Sequence, residues 1–140
     1  MHPVMVQVSV GELLDKLVIL ELKARHVPGE RQQRNIQTEL QLLRQSFAGL
    51  ALAPRGLDAL IHGLRLVNAE LWQIEDDIRI CENEQKFDAK FVELARSVYR
   101  KNDERAALKR SINDLCGSQL REEKHYAEYT RADPGQAYAK

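Results

Sequence analysis

The sequence predicts an all-α protein, an antiparallel bundle built on a long helical hairpin. Two observations carry this prediction. Apolar residues recur at three- and four-residue spacing through most of the 140 residues, as they do on the buried face of a helix. Aromatic residues make up only 6% of the chain while apolar residues make up 44%, so we expect a core of aliphatic side chains, as in helical bundles.

The predicted hairpin joins a helix over about 57–82 to a second helix over about 88–116. The first helix has the apolar stripe Leu57, Leu60, Ile61, Leu64, Val67, Leu71, Ile74 and Ile78. The second helix has the stripe Phe91, Leu94, Ala95, Val98, Ile112 and Cys116. Asp88 is the predicted N-cap of the second helix, and Gly117 is its predicted C-terminal glycine. The turn between the helices is short, which predicts that they are antiparallel neighbours.

Two shorter helices are predicted before the hairpin. Ser9 and Glu12 have the spacing of a capping box, so the first helix begins after Ser9. Its apolar residues occupy more than one face, which is typical of a helix sandwiched between neighbours. Its predicted polar side consists of Glu12, Asp15, Lys16 and Lys23. Val27-Pro28-Gly29 ends this helix, and an amphipathic helix over about 30–47 follows.

The two ends of the chain have weaker patterns. Alternating valines in residues 4–10 predict a short N-terminal β-strand, whose backbone needs a hydrogen-bonding partner. The segment can pair with its twin in a dimer, lie against the bundle as extended chain, or join the first helix. Residues 119–129 predict a short terminal helix. We therefore expect one helical domain over 1–129 and a flexible tail over 130–140.

Composition narrows the classes of partner. The 21 basic and 21 acidic residues cancel, so net charge gives no reason to expect nucleic acid or an anionic membrane as a partner.

We see no signal peptide and no apolar run of about 20 residues, so we expect a cytoplasmic protein. Cys81 and Cys116 would lie about 35–40 Å apart in the hairpin, which predicts two reduced thiols. The four histidines are scattered, so we predict no metal site and no cofactor.

Polar residues interrupt the apolar stripes midway along the hairpin. Asn68 and Glu75 fall inside the first stripe, and Asn102, Arg105 and Lys109 lie at the centre of the second. Antiparallel folding brings these polar positions together, and one residue of the first helix can join them. The predicted site residues are Glu21, Asn68, Trp72, Glu75, Arg79, Tyr99, Asn102, Arg105 and Lys109.

This polar belt has two interpretations. In the first, Glu21 and Glu75 pair with Arg105 and Lys109 in a closed network that fixes the helix register. In the second, the belt is a pocket in which Arg105 and Lys109 hold a carboxylate or phosphate, with a glutamate as acid or base. The first interpretation, which we favour, indicates an interaction or accessory protein that forms a homodimer or binds another protein. The second indicates a small enzyme or a binding protein for an anionic metabolite.

Five groups of residues along the chain form distinctive strings. They are Ser9-Val10-Gly11-Glu12-Leu13 with Asp15-Lys16, Val67-Asn68 with Leu71-Trp72, Ile74-Glu75-Asp76-Asp77-Ile78-Arg79, Leu94-Ala95-Arg96-Ser97-Val98-Tyr99, and Asn102-Asp103 with Arg105-Ala106. On these strings, the chain resembles a family of small, uncharacterised bacterial all-helical proteins from about Val8 to Tyr126. The resemblance implies no established activity, and it implies a link to gene clusters for cell-surface polysaccharide assembly.

Overall fold

The computed structural model describes residues 2–129, and this part of the chain contains four α-helices and no β-strand. The helices are α1 (Val10–His26), α2 (Glu30–Gly49), α3 (Leu57–Asn83) and α4 (Ala89–Cys116). The all-α fold and the long hairpin of α3 and α4 are confirmed, and the predicted helix bounds lie within two residues of those observed. The predicted tail over 130–140 lies outside the described residues.

Helix α1 is the central element of the bundle. It packs against each of the other three helices, whereas α2 packs only against α1 within the described residues. Its buried residues are Gly11, Leu13, Leu14, Asp15, Leu17, Val18, Leu20 and Leu22. The prediction of a sandwiched helix is therefore confirmed, and a polar side chain on α1 has few directions that lead to solvent.

Local capping groups fix the helix ends that the sequence predicts. The Ser9 hydroxyl accepts a hydrogen bond from the backbone N–H of Glu12 at 3.0 Å, which starts α1. The Asp88 carboxylate accepts one from the backbone N–H of Phe91 at 3.2 Å, which starts α4. Gly117 ends α4 with a φ of 65°, a left-handed conformation that glycine adopts without steric cost.

The apolar core lies where α1 meets the other helices. Its buried members are Leu14, Leu17, Val18, Leu20, Ile36, Leu40, Leu57, Leu64 and Ile112. Cys81 is buried and Cys116 is half-buried, and both are free thiols, as predicted. Burial raises the pKa of the Cys116 thiol. No helix within residues 2–129 combines the length and the apolar character that crossing a membrane requires.

Both terminal segments differ from their predictions. Residues 2–8 are exposed and without regular structure, and they have no hydrogen bond to other described residues, so the predicted strand is absent. A strand forms only beside a second strand, and the described chain offers none. Residues 118–129 are also without regular structure, so the predicted terminal helix is wrong. Side chains of this segment bind α1 and α4 individually, and those contacts hold it along the bundle surface.

Candidate functional site

A buried carboxylate lies at the centre of the bundle. The Asp15 side chain on α1 is only 1% exposed. Arg105 on α4 binds it in a forked arrangement: Nε lies 3.1 Å from Oδ1 and 3.0 Å from Oδ2, and Nη2 donates to Oδ2 at 2.6 Å. Asn68 on α3 donates through Nδ2 to Asp15 Oδ1 at 2.9 Å and to the Leu64 carbonyl at 2.9 Å. We call Asp15, Asn68 and Arg105 the Asp15 cluster; it joins three helices through one carboxylate.

A second polar cluster lies where α1 begins. Lys109 on α4 donates to Glu12 Oε2 at 2.5 Å, and its Nζ lies 3.9 Å from Oε1 of Glu122. Glu122 accepts hydrogen bonds from the Ser9 hydroxyl at 2.6 Å and from Asn113 Nδ2 at 3.3 Å. We call these five residues the Glu122 cluster. Ser9 and Asn113 are 3% and 2% exposed, so both residues that donate hydrogen bonds to Glu122 are buried.

Opposing effects act on the Glu122 carboxyl. Burial raises its pKa, because the charged form loses contact with water. The hydrogen bond from Ser9, one from its own backbone, the charge of Lys109 and the hydrogen bond from Asn113 favour the charged form. Together they outweigh burial, and the pKa of Glu122 is lower than that of an ordinary glutamate.

The backbones of α1 and α4 approach closely at Gly11. Its N–H donates to Asn113 Oδ1 at 2.7 Å, and a Cβ atom at this position would lie 2.6 Å from the Lys109 carbonyl oxygen. Only glycine fits such an approach without moving backbone. Because Gly11 lies beside Lys109 while Asp15 lies beside Arg105, α1 and α4 are antiparallel, and the two clusters are one helical turn apart.

The structure brings together part of the predicted belt. Asn68 and Arg105 bind the same carboxylate, and Asn102 accepts a long hydrogen bond from Arg105 Nη1 at 3.4 Å. Lys109 belongs to the neighbouring Glu122 cluster. These four predicted residues therefore do lie between the helices, at two neighbouring levels, but their carboxylate partners are not the predicted ones.

Glu21 and Glu75 do not bind Arg105 or Lys109, so that predicted pairing is wrong. Glu21 pairs instead with Arg65, whose Nε lies 3.0 Å away and whose side chain is 49% exposed. Glu75 is 46% exposed and belongs to a surface pair described next. The physical reason is the register between the helices. Asp15 and Glu12 of α1 already bind the two cations of α4, and Glu75 lies about two turns from Asn68 along α3, too far to bind them.

The other predicted residues occupy the outside of the bundle. Arg79 donates to Glu75 at 2.6 Å as an i,i+4 pair on the surface of α3. Trp72 is half-buried and stacks on His26, with ring centroids 5.0 Å apart and an interplanar angle of 24°. Tyr99 is 42% exposed and meets the Tyr129 ring edge-on at 5.2 Å. None of these residues contributes to either cluster.

The central residue that the sequence analysis missed is Asp15. The sequence pattern places Asp15 on the polar side of α1 with Lys16 and Lys23. Those two lysines are exposed, but the prediction is wrong for Asp15, which lies where α1 meets α3 and α4. The second apolar face of α1 is the feature of the sequence that indicates burial of Asp15. A helix that is apolar on two faces is packed on several sides, and an acidic residue between those faces is then buried beside a cation.

An open cleft of about 1220 Å³ lies between α4 and residues 124–129. Its lining includes Tyr99, Asn102, Arg105, Lys109, Lys124 and Tyr129. Each cation on this wall has a carboxylate partner: Asp15 for Arg105, Glu12 for Lys109, and Asp103 for Lys124 at 2.6 Å. The charges of the wall are therefore largely balanced.

The buried polar side-chain atoms of the two clusters are all hydrogen-bonded. Every buried side-chain nitrogen or oxygen within residues 2–129 has a hydrogen-bond partner. In the same range, no three residues among histidine, cysteine, aspartate and glutamate come together as a metal site would require. The geometry therefore favours the interpretation in which the polar belt joins helices in a fixed register.

Comparison with known proteins adds one finding. No curated protein and no solved structure matches the chain. One family model does match, over residues 4–139, and it is described as a family of unknown function, DUF6165. The match agrees with the resemblance of the sequence strings to uncharacterised proteins. The chain therefore belongs to this family of unknown function, DUF6165.

Proposed function

We propose that this is a helical interaction protein that associates with a second copy of itself through its N-terminal segment, residues 2–8. The observation that carries the proposal is a run of three exposed apolar residues. Val4, Met5 and Val6 are 86%, 88% and 73% exposed. Contiguous exposed apolar side chains are typical of interaction surfaces, and the backbone beside them has no hydrogen-bond partner among the described residues.

Pairing between two copies would cover the exposed apolar side chains and would supply hydrogen-bond partners for the backbone. An extended segment places Val4, Val6 and Val8 on one side, and a second copy supplies the missing backbone partners. The segment leaves the bundle at Ser9, which the Glu122 cluster holds in place. The segment therefore begins from a fixed point, which limits the conformational entropy lost on pairing.

The wider setting of the proposal rests on the resemblance. The resemblance implies a bacterial protein. We propose that this protein is a cytoplasmic accessory protein in surface-polysaccharide assembly, and that a further protein partner binds the dimer. The two clusters support an accessory role because they hold three helices in register, as a rigid interaction module requires.

Sedimentation velocity across a micromolar dilution series tests the self-association. We expect a dimer in the wild type and a monomer in the Val4→Ser, Val6→Ser double variant. Leu42→Ser is the matched control, because Leu42 is 53% exposed on α2, far from the segment in sequence. A wild type that is monomeric throughout the series, or a double variant that dimerises like the control, would overturn the proposal.

A second candidate function is binding of an anionic small molecule at the cleft. A guanidinium carries five N–H donors, and the contacts of Arg105 with Asp15 and Asn102 use three of them. The other two have no acceptor among the described residues, and Arg105 lines the cleft. These donors favour a carboxylate- or phosphate-bearing metabolite, held either by a binding protein or by a small enzyme.

A thermal-shift screen with phosphorylated metabolites, carboxylic acids and sugar nucleotides tests this second candidate. A true ligand raises Tm progressively with its concentration relative to Kd. The shift should disappear in Arg105→Lys, which cannot offer the same fork, and persist in Arg79→Lys, an exposed position on α3 that does not line the cleft. No shift with any compound, or equal shifts in both variants, would contradict it.

A further inference from the structure

Residues 118–129, which we call the strap, follow the end of α4 and run back along it. Ser118 accepts a hydrogen bond from the Val10 N–H at 3.3 Å, where α1 begins. Lys124 and Tyr129 both bind Asp103, each at 2.6 Å, roughly four turns before the strap's starting point. The strap therefore crosses the first turn of α1 and then forms one wall of the cleft.

Polar contacts hold the strap in place. Ser118 is its only buried residue, and its larger apolar side chains are exposed: Leu120 by 42%, Tyr126 by 74% and Tyr129 by 43%. The strap thus contributes little to the apolar core. Segments with few buried apolar contacts open locally at a lower free energy than the whole fold.

Glu122 is the strap residue that accepts hydrogen bonds from two buried donors of the bundle, although its own side chain is 44% exposed. Its carboxylate accepts hydrogen bonds from the buried Ser9 hydroxyl and from the buried Asn113 amide. The ammonium group of Lys109 lies beside it. The neighbouring Glu123 is exposed and has no partner among the described residues. Two adjacent glutamates therefore differ sharply in their contacts, although they carry the same charge.

We propose that the strap is a detachable lid on the cleft and that Glu122 is its latch. While the latch is closed, Lys109 is only 16% exposed, and strap residues form one side of the cleft. Opening uncovers Lys109 and Arg105 and frees the Ser9 and Asn113 donors, while the apolar core stays intact. The inference concerns the opposite end of the chain from the self-association proposal and does not depend on it.

Hydrogen–deuterium exchange on the full-length protein tests the latch. Glu122→Gln keeps the size of the side chain but removes its charge, and its one amide donor must face either Asn113 or the side of Ser9 and Lys109. Glu123→Gln is the matched control. We expect the Val10 amide, whose hydrogen bond to Ser118 Oγ joins the bundle to the strap, to exchange roughly tenfold faster in Glu122→Gln than in the wild type or the control, because the charge-assisted hydrogen bonds that hold the strap are lost. The amides of α3 should be unchanged in all three proteins.

Acylation of lysines supplies an independent readout of opening. Lys109 should react several-fold faster in Glu122→Gln than in Glu123→Gln, relative to Lys86, whose side chain is 66% exposed. Equal exchange and equal labelling in the two variants would overturn the latch. If exchange in Glu122→Gln were equally faster in α3, the strap would be unfolding together with the bundle. That result would overturn the proposal that the strap opens on its own.

Discussion

Replacing Arg105 with methionine leaves the Asp15 carboxylate buried without its cation. The wild-type carboxylate has four close contacts, three from Arg105 and one from Asn68. The variant retains only the contact from Asn68, while the methionine side chain fills a similar length of space. Asp15 is 1% exposed, so solvent cannot readily replace the lost donors.

The size of the effect follows from this geometry. Removing one partner of a buried ion pair costs about 3–5 kcal/mol of folding free energy, because an uncompensated charge remains inside. The Arg105 side chain is 29% exposed at the cleft, so some water can reach the site and the lower end of that range applies. We therefore expect a loss of about 3 kcal/mol. With a urea m value of about 1.5 kcal/mol/M, the unfolding midpoint falls by about 2 M.

Urea unfolding followed by far-ultraviolet circular dichroism measures this loss. Arg79→Met is the matched control, because it makes the same substitution in an i,i+4 pair whose side chains are 71% and 46% exposed. Such a pair contributes less than about 0.5 kcal/mol. Equal stabilities of Arg105→Met and Arg79→Met would refute the argument, since burial of the Asp15 charge would then have no energetic consequence.

Further predictions concern the contact between α1 and α4. Gly11→Ala should destabilise the protein by roughly 2–3 kcal/mol in urea unfolding, because the new methyl group would meet the Lys109 carbonyl at 2.6 Å. Gly49→Ala, which meets nothing within 4 Å at the end of α2, should change stability by less than about 1 kcal/mol. The strap should open in acid: the folded-state pKa of Glu122 is lowered, so its contribution is complete above the ordinary value of about 4.3 and is lost as the pH falls through the folded value. The protection factor of the Val10 amide, which corrects for the pH dependence of intrinsic exchange, should therefore fall below about pH 4 in the wild type, with a weaker pH response in Glu122→Gln. Ser9→Ala removes both a helix cap and a donor to Glu122, and should cost about 1–2 kcal/mol in the same urea assay.

The helices were predictable because their signals are local. Ser9, Asp88 and Gly117 each act on the backbone within four residues, so the sequence alone places these helix ends. The terminal segments were not predictable in the same way. Alternation in residues 2–8 is compatible with a strand, but a strand depends on a partner that the sequence does not identify.

The candidate site was predictable on the hairpin and not on α1. Asn68 and Arg105 interrupt apolar stripes, and hairpin folding alone places them at one level. Which carboxylate meets them depends on how α1 crosses the hairpin, and that register is set by packing between distant residues. Gly11 had a usable signal, because glycine inside a helix costs about 1 kcal/mol and therefore indicates a close contact.

A double-mutant cycle between Asp15 and Arg105 tests most directly whether this buried pair holds the bundle together. The cycle compares the urea unfolding free energies of the wild type, Asp15→Asn, Arg105→Met and the double variant. We predict a coupling energy of at least about 2 kcal/mol, with the double variant more stable than Arg105→Met alone, because a neutral asparagine in place of Asp15 no longer leaves a charge unpaired. Losses that simply add to within about 0.5 kcal/mol would contradict the account.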